Sequence, residues 1–320
     1  MMHQQCSICV NSNRNPTIPI LESGACRICD WYNCNYSRSN LIIEQSFLNG
    51  KSAIVEMTGG KDSSAVAWFA KTMNLKLSAF TFDTGYYPKH TFTRACEQAG
   101  RLGLHHEIID IRKYIQPDIR ECYHLTASLF DDPPRRTDAL EIYSLNRHHY
   151  AANDTTIMPY IRPCQLCRKI VVPAYYREAL KRNVQLVILG MNEWTHLNGY
   201  GSVSGIRKLQ PDETRPPIWV VHLPFLMGWN LIHNQNISRA NEWTPPEDEA
   251  YVETNGNSCL FARASEVAAT KMLGFHPDTT RLAREVTAGF LTKTIASAAL
   301  ATVHEHDKTV RQVLMDADII

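Results

Sequence analysis

The chain has 320 residues, 44% of them hydrophobic, and a formal net charge of +1. That length can bury a full core and leaves room for one large unit with a smaller one beside it. A charge this close to zero argues against a general nucleic-acid binder, which would need a strongly positive field. The opening MMHQQCSICV holds no apolar leader core. The longest apolar run, IWVVHLPFLMGW, is too short to span a bilayer. The expectation is a soluble cytoplasmic protein with no membrane partner.

In chain order, residues 1–40 read as an irregular, cysteine-rich module. SAIVEM (52–57) reads as a buried strand, DSSAVAWFAKTM (62–73) as an amphipathic helix and LSAFTFD (77–83) as a second strand. TRACEQAGRLG reads as helix, HHEIIDI as a third strand, RKIVVPAYYREALKRN (168–183) as helix and VQLVILG (184–190) as a further buried strand. Strands alternating with helices predict an α/β fold with a parallel sheet and right-handed crossovers. QPDETRPP reads as a linker near residue 210, EWTPPEDEA as an exposed loop, and TRLAREVTAGFLTKTIASAALATVHEH (280–306) as C-terminal helix or helices. The expected units are therefore 1–40, 50–210 and 211–320.

Six of the ten cysteines form three C-x-x-C pairs: Cys6/Cys9, Cys26/Cys29 and Cys164/Cys167. In a chain read as cytoplasmic, such pairs favour metal over disulfide. Cys6, Cys9, Cys26 and Cys29 have the two-knuckle spacing of a structural Zn²⁺ site, with Cys34 a poorer substitute ligand. Cys164 and Cys167 in RPCQLCRK lack a second pair, and Cys259 in GNSCLFAR is the strongest candidate third ligand. Three thiolates leave one coordination site free, and soft thiolates select zinc or iron–sulfur. Cys96 and Cys122 read as buried apolar residues.

TGGKDSS sits between a strand and a helix start, where backbone N–H groups and the helix dipole favour an anion. It is not a Walker A loop: Val55 stands at the first glycine position, and Asp62 follows Lys61. The segment closely resembles the S-G-G-x-D-S loop of the PP-loop ATP pyrophosphatases, the adenine nucleotide α-hydrolase-like superfamily, with Thr58 where that family usually has Ser. The resemblance implies a HUP-like PP-loop domain. It also implies cleavage of ATP between its α- and β-phosphates and adenylation of a carbonyl or carboxylate oxygen. Carried over, Thr58, Gly59, Gly60, Ser63 and Ser64 cradle the phosphates, Lys61 offsets charge, and Asp62 helps hold Mg²⁺. FDTGYYPKHT resembles the D-T-G segment of the phosphoadenylylsulfate reductases and places Asp83 at the ATP site. GMNEWTH matches a G-x-N segment of related families and adds Gly190 and Asn192, with the role of Glu193 open.

The branch is divided. CQLCRK and CLFAR resemble segments of the sulfur insertase branch that makes the nickel-pincer cofactor. That likeness implies a [4Fe–4S] cluster on Cys164, Cys167 and Cys259 and a sulfur nucleophile. CSICV…ESGACRICDWY and the C-terminal GFHPDTTRLAREVTAGFLTKTIASAAL resemble the N-acetyl sugar amidotransferases, which implies ammonia from a partner glutaminase. Sulfur transfer is the first choice and amidation the second, with a non-catalytic zinc-ribbon adaptor third. The acceptor is read as a small molecule or sugar, with tRNA less favoured. A sulfur-carrier protein is a further partner class, and a homodimer is left open. Arg135, Arg136, Arg162, Arg168 and Lys169 are candidates for holding an anionic acceptor.

Overall fold

Short apolar runs that alternate with helices cannot bury both of their faces alone, so they stack into one sheet with helices on either side. The computed structural model describes residues 4–73, 75–148, 156–196, 202–244 and 259–320. The half of the EWTPPEDEA loop from 245 onward lies outside the described residues. Two helices, α1 (Arg27–Asn35) and α2 (Arg38–Phe47), precede β1 (Ser52–Glu56). There follow α3 (Lys61–Thr72), β2 (Lys76–Asp83), α4 (Lys89–Arg101) and β3 (His106–Asp110). Helices α5 (Pro117–Asp131), α6 (Arg136–His148) and α7 (Pro163–Lys181) lead to β4 (Leu186–Leu189). The ribbon of β5 (Thr195–His196) and β6 (Val203–Ser204) precedes β7 (Ile206–Leu209) and β8 (Ile218–His222). The chain closes with α8 (Leu223–Leu226), α9 (Leu231–Ala240), α10 (Leu260–Leu273), α11 (Thr279–Thr287), α12 (Lys293–Ala301) and α13 (Val310–Asp316).

The main sheet has the order β3-β2-β1-β4-β8-β7. Its first five strands are parallel, and β7 pairs antiparallel with β8 at the edge. Successive residues of β1 point to opposite faces. Ile54 joins a core shared with α5, α7, α10 and α13, while Ala53 and Val55 join a core shared with α2, α3 and α4. Every residue of β4 is buried, as a central strand covered on both faces requires.

The expected strands and helices of the parallel core lie within one or two residues of their observed positions, except that α4 starts at Lys89 rather than at residue 93 and the third helix starts earlier still. That helix, α7, begins at Pro163, so Cys164 and Cys167 sit in its first turns. The reading of 210–217 as a linker between domains is not what the structure shows. These residues join β7 to β8 within the sheet, so the α/β unit continues through residue 222. The cysteine-rich N-terminal module does not stand apart either. Its core is shared with Leu282 and Ala283 of α11, Phe290 and Leu291 beyond it, and Ala296 and Ala299 of α12. Among the described residues, no helix is long and apolar enough to cross a membrane.

Candidate active site

The loop from β1 to α3 is shaped by what its glycines admit. Gly59 has φ +69°, and a Cβ there would lie 2.6 Å from Arg94 Cβ and 2.9 Å from the Thr91 carbonyl oxygen. Gly60 is the N-cap of α3 and offers no capping side chain. The helix N-terminus therefore keeps its N–H groups and positive dipole end for an anion. Across the sheet, Gly190 follows β4, and a Cβ there would lie 2.7 Å from the Ser63 nitrogen. That contact is with backbone, which explains why the closing segment has glycine where it passes the start of α3.

The two serines of the loop have different roles. Ser63 Oγ donates to the Gly60 carbonyl at 3.1 Å and accepts from the Thr58 N–H at 3.1 Å; its hydroxyl is also 3.2 Å from Thr58 Oγ1. Thr58 and Ser63 thus hold the loop's shape. Ser64 Oγ is buried and has no hydrogen-bond partner among the described residues. The Lys61 ammonium lies 2.6 Å from Asp62 Oδ1, which also accepts from Asn234 Nδ2 of α9. Ser238 Oγ, one turn further along α9, donates to the Lys61 carbonyl at 2.9 Å. Trp243 Nε1 donates to the Gly59 carbonyl at 2.9 Å. The loop's carbonyls are thus satisfied from a segment more than 170 positions later, a pairing with no signal in the local sequence.

At the end of β2, Asp83 Oδ1 accepts from the Gly85 N–H at 2.7 Å, and Oδ2 lies 3.7 Å from Arg112. Asp83 is therefore engaged in shaping its own turn. The neighbouring Thr84 Oγ1 is buried without a partner among the described residues, as are both polar atoms of the Asn192 side chain. Unpaired buried polar atoms are costly and rare. Ser64, Thr84 and Asn192 follow β1, β2 and β4, at the carboxyl edge where α/β sheets bind ligands. These donors and acceptors, with the uncapped α3 and an Asp62 side chain 35% exposed, fit ATP and its Mg²⁺.

Cys164, Cys167 and Cys259 come together at the starts of two helices. Cys164 and Cys167 lie in the first turns of α7, while Cys259 is the N-cap of α10 and accepts from the Ala262 N–H at 3.4 Å. Burial pushes Cys164 up to about 11 and Cys167 up to about 12. Cys259 is pushed up further by burial and then by the proximity of Cys164. The Leu260 N–H donates to the Tyr86 carbonyl at 3.1 Å, which ties this group to the turn after β2. Glu56, the last residue of β1, lies between the cysteines and the glycine loop. Burial pushes its carboxyl up to about 7 against a hydrogen bond of 2.7 Å from the Tyr175 hydroxyl. As part of an ordinary-looking strand, Glu56 gave no sequence signal.

The N-terminal cysteines form a closed site. All four are 0% exposed, and their sulfurs lie within 4.8 Å of one another. The S···S separations of 3.5, 3.7 and 3.9 Å match the edge of about 3.8 Å that a tetrahedron with bonds of about 2.3 Å requires. N–H groups of Ile8, Cys9 and Cys26 point at Cys6 Sγ at 3.1–3.4 Å, as in a metal knuckle. The residues fit Zn²⁺. No other group of three or more ligands among the described residues is gathered this tightly. Cys34 is exposed and lies outside the site. Cys122 is buried, but Cys96 is exposed, with its sulfur 3.4 Å from His106 Nδ1, contrary to the expectation of burial.

Of the basic candidates, Arg162 and Arg168 face the cysteine side of the cleft, paired with Asp278 and Glu193 respectively. Arg135 has 88% of its side chain exposed and pairs with Asp138 on the surface. Arg136 packs against Gly274. Lys169 is buried, 5.8 Å from the Tyr160 ring centroid.

No family model and no curated protein matches the chain. Among solved structures it is similar to an NH3-dependent NAD synthetase from Campylobacter jejuni subsp. jejuni NCTC 11168 in complex with the nitrate ion. The sequence identity is 18%, the match covers 52% of this chain and 54% of that one, and the TM-score is 0.26. The chain thus spans about half the length of that structure. A superposition this distant defines neither activity nor substrate.

Proposed function

We propose that the chain is a PP-loop ATP pyrophosphatase that activates a substrate oxygen by adenylation. The observation that carries this reading is the set of unpartnered buried groups, Ser64 Oγ, Thr84 Oγ1 and the Asn192 amide, around the uncapped start of α3. In this scheme the acceptor's carbonyl or carboxylate oxygen attacks the α-phosphorus, the bond to the bridging oxygen of the β-phosphate breaks, and pyrophosphate leaves. Lys61 and the α3 N–H groups stabilise the charge on the departing pyrophosphate, the largest single source of rate in such transfers. Asp62, reachable from solvent and steadied by Asn234, helps hold Mg²⁺. A nucleophile then displaces AMP together with the activated oxygen.

We read that nucleophile as sulfur. Cys164, Cys167 and Cys259 would hold an iron–sulfur cluster, which supplies a reactive sulfur when bound. Their spread beyond single-ion distance and their place beside Glu56 and the turn after β2 support this reading over a second zinc. The donor would be a sulfur-carrier protein.

The test has two stages. With α-labelled ATP and candidate acceptors, the products are expected to be AMP and pyrophosphate; ADP as the main product would overturn the assignment. Asp62→Asn should lower turnover by roughly a hundredfold or more. Anaerobically reconstituted protein should then bind iron and acid-labile sulfide, and each Cys→Ala variant at 164, 167 or 259 should lose both. Iron-free protein that turns over with ammonium salts would make the nucleophile nitrogen and leave the adenylation step intact.

A further inference from the structure

Six arginines gather around the cleft beside Cys164. They are Arg147 of α6, which donates to the Thr17 hydroxyl at 3.0 Å, Arg162 at the start of α7, Arg168 within it, Arg207 of β7, and Arg281 and Arg284 of α11, each close enough to at least one other to affect its charge. Three carboxylates accompany them. Arg162 lies 3.2 Å from Asp278, Arg281 is 3.5 Å from Asp278 and 2.6 Å from Glu285, and Arg168 pairs with Glu193. Among the described residues, Arg147, Arg207 and Arg284 have no carboxylate at ion-pair distance. Among the described residues, six guanidiniums against three carboxylates leave three positive charges unmatched.

This is not a solvated helix face. The side chains of Arg162, Arg168 and Arg281 are 16%, 23% and 26% exposed, against 88% for Arg135. The Nε atoms of Arg162 and Arg284 are buried and have no partner among the described residues. The Arg284 guanidinium lies 4.2 Å from the centroid of the Trp194 ring, which leaves its forked edge free to donate. Burial lowers the pKa of Arg284, Arg207 and Arg147 from the usual arginine range, and neighbouring arginines lower it further. Like charges this close and this dry repel strongly. An anion between them would remove that cost.

The cluster also has a definite place relative to the chemistry. Arg162 and Cys164 line one small cavity with Asp278 and Pro277. Glu193 and Trp194 directly follow Asn192 at the end of β4. The cluster therefore lies between Cys164 and the segment that follows Asn192.

We propose that this arginine cluster binds a phosphate group of the acceptor, so that the molecule adenylated and substituted by this chain is a phosphorylated small molecule. Three unmatched positive charges and forked donors suit a phosphate dianion better than a single carboxylate. The inference rests on the adenylation reading for the word acceptor, but the anion site stands on its own geometry.

The test is a calorimetric titration of the full chain with inorganic phosphate, with the glycine loop first saturated by α,β-methylene-ATP. Phosphate is expected to bind while the analogue is in place. Arg284→Gln and Arg207→Gln should each weaken phosphate by about tenfold or more and leave analogue affinity within about twofold, as expected where the two ligands share no partner. Lys61→Ala should do the reverse. Two substitutions on different elements keep the result readable if one of them misfolds. Phosphate that the analogue displaces would assign the cluster to the nucleotide and overturn the proposal. So would no binding at millimolar phosphate, acetate binding as tightly as phosphate, or unchanged affinity in both folded variants. Failure of the analogue to bind would instead count against the adenylation reading, and phosphate would then be titrated into the free chain.

Discussion

The two cysteine regions of this protein share a ligand type and differ in almost everything else. The N-terminal four are 0% exposed and within 4.8 Å of one another. Cys164, Cys167 and Cys259 are half-buried, spread more widely, and lie at the edge of the sheet where ligands bind. A closed tetrahedron has no position left for chemistry, whereas three thiolates leave one. The surroundings follow the same division. The closed site is packed into helices, with Thr287 Oγ1 3.1 Å from Cys29 Sγ and the Lys293 ammonium donating to the Cys6 carbonyl at 2.6 Å. The open one faces tyrosines, a raised carboxyl at Glu56 and the arginine cluster. The four-cysteine module is also tied to the arginine cluster, because α11 carries both Thr287 and Arg284.

The largest expected effect comes from breaking the closed site. Structural zinc contributes roughly 10–16 kcal/mol of apparent folding free energy in small modules. Cys26→Ser should therefore remove one zinc per chain and uncover Leu282, Phe290 and Leu291. Metal analysis and a melting curve lower by roughly 10 °C or more are the checks. A soluble, zinc-free variant with an unchanged melting curve would refute a structural role. Cys259→Ala sharpens the contrast. It should cost only about 1 kcal/mol of stability and keep the zinc, while losing the iron.

Next in size is an acid response beside the arginine cluster. Burial holds His222 down to about 4, with Glu193 opposing and Arg168, Arg284 and Arg207 adding to the depression. The unfolded chain takes up this proton near pH 6.5, so it binds more protons than the fold between pH 6.5 and 4. Stability should fall with decreasing pH across that window, by up to about 3 kcal/mol. The slope of denaturation midpoint against pH measures it. In His222→Gln that slope should flatten, whatever the variant's absolute stability.

The smallest effect expected is steric. Gly190→Ala would force a Cβ to 2.7 Å from the Ser63 nitrogen, and the start of α3 would have to shift. The cost should be about 1–3 kcal/mol, accompanied by weaker binding of α,β-methylene-ATP. A variant that keeps both stability and nucleotide affinity would show that β4 and α3 are not held in register by this contact.

Much of this was legible in the chain itself. The strand–glycine–helix pattern at 52–73 and the buried run at 184–190 placed β1, α3 and β4 of the parallel sheet, because period and turn chemistry are local properties. For the same reason, C-x-x-C spacing picked out the four cysteines that the fold gathers into one cluster. Local pattern misread residues 210–217, where a Pro-rich hairpin looks like a linker until β8 is seen beside β4. In the turn after β2 it singled out Asp83 and passed over Thr84, whose hydroxyl is buried without a partner among the described residues, a state that only the fold shows.

What the sequence determined by itself was the list of chemical parts: a phosphate-type loop, a four-thiolate knuckle pair and a separate C-x-x-C. The tertiary structure decided which parts meet. Asn234 reaches Asp62, Cys259 joins Cys164 and Cys167, and Arg284 comes to Trp194 across 90 positions. Side-chain chemistry is written residue by residue. Such long-range meetings depend on how helices pack over both faces of an open sheet, which no short window of sequence contains.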